Sequence, residues 1–246
     1  MQTTYFRNMQ HLYGRQIIFG LLFLFLACSA FAQWQQNLPD HENKRYYFGI
    51  TLSSNSARFQ LEHHPKFIAG DSATLVESKG NAGFGLGLLA SLRLSPHLEV
   101  RLNPHLIFAS RSINYNLLYP QVGDSAKQTK SIESIYPSIP IQLKFSSDRI
   151  NNFKVYILGG LKFEYDLASN SQARRAEDLV KLSKRSFGYE AGLGFHFYFP
   201  SFIFSPEIKI SNTIGNVHAR DANLIYSNII DKMQARMIVF AIHLEG

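Results

Sequence analysis

Cysteine is all but missing from this 246-residue chain; Cys28 is the only one. It closes an apolar run, Ile17 to Ala27, that follows the basic residues Arg7 and Arg15. Ala30-Phe31-Ala32 then supplies a small-x-small cleavage site before Gln33. A positive segment, a short apolar run and such a site make residues 1–32 a secretory signal peptide. The run is too short to cross a bilayer as a helix. Leu26-Ala27-Cys28 loosely fits a lipoprotein cleavage box, but Phe25 stands where that box prefers Leu, so cleavage after Ala32 is favoured. The processed chain then lacks cysteine. That excludes a disulfide framework, a thiolate metal site and a cysteine nucleophile.

Long apolar runs are missing too. After residue 32 no stretch of 18 apolar residues occurs, and mean hydropathy is −0.10. A helical membrane protein is excluded. A β-barrel is not, because alternating strands average out in hydropathy. Charge is modest at +7, and Arg7 and Arg15 in the signal segment account for part of it. No basic stripe or motif accompanies it, so no nucleic-acid partner is expected. Catalytic motifs are also wanting. Gly85-x-Gly87 and Gly192-x-Gly194 lie inside alternating stretches with no helix following, which fails the dinucleotide pattern. No G-x-S-x-G elbow occurs, and His105, His196, Ser110 and Ser138 show no motif spacing. His63-His64 has no carboxylate at ligand spacing. No enzyme, metal, cofactor or small-molecule substrate is expected.

What the chain does have is a period of two, the signature of strands whose side chains point alternately to opposite faces. It is clearest in residues 185–213. Tyr189, Ala191, Leu193, Phe195, Phe197 and Phe199 form one face; Gly188, Glu190, Gly192, Gly194, His196 and Tyr198 form the other. After Pro200-Ser201 the alternation resumes with Phe202, Phe204, Ile208 and Ile210 against Ser205, Glu207 and Lys209. Other alternating stretches are 45–54, 81–94, 97–111, 131–147, 153–168 and 234–244, with Pro137 and Pro140 predicting a bulge or an edge-like distortion in the fourth strand. Residues 33–44 are polar and predict a flexible leader, leaving 45–246 as one barrel domain.

About eight strands result. Their connections alternate between long polar loops (55–80, 112–130, 169–184, 214–232) and tight turns, with part of 169–184 open to a helix. Long loops at one end and tight turns at the other are the pattern of closed antiparallel transmembrane barrels. With the export signal, the fold class expected is an all-β barrel of about eight strands in the lipid bilayer of the outer membrane. The apolar faces then look outward. The lumen would hold Arg93, Glu99, Arg101, Lys144, Lys162, Glu164, Glu190, Glu207 and Lys209, with Lys154, Asp166 and His196 beside them. An eight-stranded barrel is only wide enough for side chains to fill it. A salt-bridged structural core is therefore favoured over an ion path or gated pore.

From Arg175 onward the chain resembles the PorT family, a component of the type IX secretion, or gliding-associated, machinery of Bacteroidetes. The residues that carry the resemblance are Ala176-Glu-Asp-Leu-Val-Lys-Leu182, Phe187-Gly-Tyr-Glu-Ala-Gly-Leu-Gly-Phe-His-Phe-Tyr-Phe199, Phe204-Ser-Pro-Glu-Ile-Lys-Ile210, and Ile225-Tyr226 through Ile229-Ile-Asp-Lys232. Tyr136-Pro-Ser-Ile-Pro-Ile-Gln-Leu-Lys-Phe145 looks like a strand of the wider porin-like outer-membrane group. The resemblance implies a barrel needed to export proteins with a C-terminal sorting domain. It implies other secretion-machinery proteins as partners and no catalytic residues. A small porin or surface-adhesion barrel is the alternative.

Overall fold

Strand after strand, the alternation becomes a ring. The computed structural model describes residues 36–63, 73–117, 127–167, 183–218 and 230–246. They form β1 (Tyr46–His63), β2 (Ala73–Arg93), β3 (Leu98–Leu102), β4 (His105–Leu117), β5 (Lys127–Ser146), β6 (Phe153–Tyr165), β7 (Arg185–Tyr198), β8 (Ile203–Ile214) and β9 (Ile230–Glu245). Each pairs antiparallel with its neighbour, and β9 returns to pair with β1 from Gly49↔Glu245 to His63↔Ile230. Closure leaves no sheet edge at that seam, as a bilayer requires. β3 and β4 share one register against β5 and are a single strand broken at Asn103-Pro104, so the wall is eight strands round. Among the described residues no helix is long and apolar enough to cross a membrane.

The expected bulge at Pro137 and Pro140 is absent. Register runs unbroken through both, and the interruption falls on the facing strand at Pro104, which has no N–H to give. Irregular register occurs instead at Gly80/Phe84 in β2 and Glu62/His63 at the seam. Gly194 shows why glycine lines the lumen. Tyr156, its register partner, lies flat over it, and a Cβ there would come within 2.4 Å of the ring.

The larger correction concerns strand length. The segments 55–80, 112–130 and 214–232 were expected to be loops. In the structure β1 runs on to His63, β2 starts at Ala73, β4 ends at Leu117, β5 starts at Lys127 and β9 starts at Ile230. His64 and most of 169–184 lie outside the described residues. The cause is a change of phase. On β1 the outward residues Tyr46, Phe48, Ile50 and Leu52 are apolar and exposed, but Ser54, Ser56, Arg58, Gln60 and Glu62 follow on the same face. The inward face changes the other way, from Tyr47, Thr51 and Asn55 to the buried Ala57 and Phe59. The strand continues while its solvent changes from lipid to water.

The exposed belt of Phe48, Phe84, Leu88, Ile141, Ile157, Leu193, Ile208, Phe240 and their neighbours encircles the tight-turn part of the barrel. Inside the loop-side rows of the belt and just beyond them, Ala57, Ile107, Ala109, Tyr136, Met237, Val239 and Ala241 form a buried apolar cluster.

Residues 37–44, expected to be a flexible leader, are tied to the tight-turn mouth. Pro39–Asn43 form a short 3-10 turn. Asn37 donates its backbone N–H to Asn152 Oδ1 and its side-chain amide to the Tyr198 carbonyl. Arg149 donates to the carbonyls of Asn37 and Leu38. Arg93 donates to those of His41, Glu42 and Lys44. A short polar segment gains order because guanidinium donors from the barrel satisfy its backbone acceptors.

Candidate functional site: the ionic lumen

All nine charged residues singled out in the sequence point inward, and all but the slightly more accessible Arg93 are buried. β2, β3 and β5–β8 place them there because charge falls on alternate positions opposite the apolar face. They fall into three layers.

Nearest the tight turns, Glu99 accepts from Arg93 Nε at 3.1 Å, Lys144 Nζ at 2.6 Å and Tyr47 Oη at 2.7 Å. Lys144 also donates to His196 Nε2 at 3.2 Å. His196 Nδ1 therefore carries the ring proton, and it donates to Ser205 Oγ at 2.7 Å. Above the mouth of this layer sits His41, buried against the ring of Tyr47 with a centroid distance of 4.8 Å. Burial, then the nearby cations Arg93 and Lys44, lowers its pKa to about 4.

The middle layer centres on Glu207. Its Oε2 accepts from Arg101 Nη2 at 2.5 Å and Tyr156 Oη at 2.9 Å, and faces His243 Nε2 at 3.3 Å. Arg101 Nε donates to Gln142, whose amide donates to Glu190 at 2.7 Å. Lys209 Nζ completes Glu190 at 3.2 Å. Gln142 thus links two ion pairs. Thr51 bridges His243 and Asn103.

Toward the long loops, Lys162 meets Glu164 at 2.6 Å, and Ser186 donates to the other carboxylate oxygen. Among the described residues this pair makes no hydrogen bond to the middle layer, so it is brought near the others without entering their network. Lys154 lies at the tight-turn mouth, 3.8 Å from Glu42, and Asp166 is half-buried just past β6.

Sequence reasoning missed five members: Tyr47, Arg111, Gln142, His243 and Glu245, all buried. His243 and Glu245 were open to discovery, since they continue the inward parity of Val239 and Ala241. Arg111 sits where the lumen has turned apolar. It donates to Tyr136 Oη at 3.1 Å and lies over the Phe59 ring at 5.0 Å. With Glu245 included, five carboxylates (Glu99, Glu164, Glu190, Glu207, Glu245) share the interior with seven cations (Arg93, Arg101, Arg111, Lys144, Lys154, Lys162, Lys209) among the described residues. Charges of both signs, interleaved and paired, suit a filled interior more than a channel selective for one sign. Among the described residues no group of three His, Cys, Asp or Glu side chains is placed to hold a metal.

Residues 31–218 match the family model of the outer membrane protein beta-barrel domain. No curated protein matches. Among solved structures, outer membrane protein OprG from Pseudomonas aeruginosa is 14% identical at a TM-score of 0.48, over 81% of this chain and 93% of that one. Neisserial surface protein A is 13% identical at 0.40, over 80% and 95%. Ail, the attachment invasion locus protein of Yersinia pestis, is 12% identical at 0.38, over 82% and 100%.

Proposed function

Starting from a chain that belongs to the outer membrane protein β-barrel family and resides in the outer membrane, we propose that it is a non-enzymatic accessory of the type IX secretion machinery, of PorT type. Its work is the export of proteins that carry a C-terminal sorting domain. The observation that carries this reading is the run of residues 187–210, which resembles PorT and forms the β7–β8 hairpin. The lumen supports it indirectly. Arg93, Glu99, Arg101, Lys144, Lys162, Glu164, Glu190, Glu207 and Lys209 act as a structural plug, so the barrel works through its surfaces. Those surfaces are the connections 169–184 and 214–232 or the tight-turn side, and the partners are other secretion-machinery proteins. Residues 1–32 are the export signal and 45–246 the barrel domain.

Deleting the gene is expected to block secretion of sorting-domain cargo while neighbouring barrels stay folded. Normal cargo secretion in the deletion strain removes the proposal. Family membership alone also fits a small porin or adhesion barrel. Planar-bilayer recording separates the two: stable conductance steps from pure protein favour the porin, and none are expected from a plugged barrel.

A further inference from the structure

The β1–β9 seam carries two outward charge pairs, and they differ in kind. Near its loop-side end Glu62 and Lys232 are register partners and meet at 2.9 Å. Four residues down β1, Arg58 stands directly opposite Arg236. Like charges opposed across neighbouring strands cost free energy instead of contributing it. Among the described residues no carboxylate answers them, and the Arg58 side chain makes no hydrogen bond or ion pair. Arg236 donates through Nε to Asn212 Oδ1 at 3.0 Å, and Asn212 donates to Tyr189 Oη at 2.9 Å. One edge of the Arg236 guanidinium is thereby held in place. Its two terminal nitrogens keep their donors for something else.

The height of the pair says what that is. On β9 the outward residues Leu244, Ile242, Phe240 and Ile238 belong to the apolar belt, and Arg236 is the next outward position. It lies about 5 Å further along the barrel axis, two residues of tilted strand. Tyr189, half-exposed beside it, is the residue type that settles at a membrane interface. The long-loop end of such barrels is extracellular. The pair therefore stands at the headgroup level of the outer leaflet, with Ile238 and Ile210 below it to receive acyl chains.

We propose that Arg58 and Arg236 together bind the phosphate of an outer-leaflet lipid headgroup. Two adjacent guanidinium forks match the several oxygens of a phosphate, and a phosphate removes the repulsion that the bare pair carries. The site is independent of the secretion reading and holds for any function of the barrel.

The test uses the full processed chain in neutral detergent, titrated with phosphatidic acid and with diacylglycerol, which lacks only the phosphate. Bound lipid is counted by native mass spectrometry. Wild type is expected to retain phosphatidic acid about tenfold more tightly than R58Q/R236Q, and diacylglycerol equally weakly. Millimolar inorganic phosphate should not displace the lipid. A second variant, Arg58→Glu, converts the like pair into an opposite pair; it should melt higher than wild type in neutral detergent and lose the phosphatidic acid preference. Heat-modifiable gel mobility checks that each variant is folded. Equal retention by wild type and folded variants overturns the site. Displacement by inorganic phosphate overturns the lipid as its ligand. An R58E barrel no more stable than wild type removes the unanswered repulsion from which the proposal starts.

Discussion

Cut across its axis, the barrel is two proteins with opposite rules. In the tight-turn half, Glu207 and Arg101 are sealed inside while Phe240 and Ile208 are bare on the outside. In the loop-side half, Phe59, Met233 and Met237 are sealed inside while Arg58, Gln60 and Glu62 face out. The same strands run through both, and the β1–β9 and β8–β9 registers continue unbroken across the boundary; the β2–β4 register shifts there, at Gly80/Phe84. What changes is the surrounding liquid. In lipid the apolar side chains have nothing to gain by hiding, so the interior is left to groups that can pair with one another. In water the hydrophobic effect returns, at about 25 cal/mol per Å² buried, and the pattern inverts.

Breaking the ionic half should have the largest effect. Glu207→Ala leaves Arg101 buried without its partner and strips Tyr156 of its acceptor, for an expected loss of about 3–5 kcal/mol in denaturant unfolding. An R101M/E207L double variant should lose much less, since it removes both charges. A double variant as unstable as the single one would show that the pair itself carries the stability.

Next comes the boundary between halves. Phe240→Arg places a guanidinium in the lipid belt and should cost about 2–4 kcal/mol in folding from denaturant into vesicles. Gln234→Arg, on the same face of β9 beyond the boundary, should stay within about 0.5 kcal/mol. Equal costs would place both positions in one medium and erase the distinction.

The smallest effect concerns the docked leader. His41 is held neutral in the folded protein, with a pKa of about 4 against an ordinary 6.5. The undocked segment takes up the proton first as pH falls, so docking is at full strength above about pH 6.5 and weakens from there down to about pH 4. Hydrogen exchange over residues 37–44, corrected for its intrinsic pH dependence, should speed up across that range in wild type and stay level in His41→Phe.

These two liquids also explain what could be read in the sequence. Within the belt, apolar side chains recur every second residue against Gly, charge and hydroxyl, so the strands, their turns and the inward charges of β7 and β8 stand out. Past Ser54 the apolar positions switch parity, and the stretch Ser54 to Glu62 looks like a loop to any search that keeps one face greasy. The interruption at Asn103-Pro104 was hidden because prolines on β5 pointed to the wrong strand. The leader's order was invisible for another reason. Its own residues show no pattern, and the guanidiniums that hold it, Arg93 and Arg149, lie about 50 and 110 positions away in the chain.

The β1–β9 seam has a cost in time. Tyr46–His63 is among the first segments of the sheet to emerge from the ribosome, and its final neighbour is the last strand made. Until that neighbour arrives, an eighteen-residue ribbon carries a row of unclaimed amides and carbonyls. Such a ribbon is a template for foreign strands, and that flank stays open to mispairing until the ring shuts.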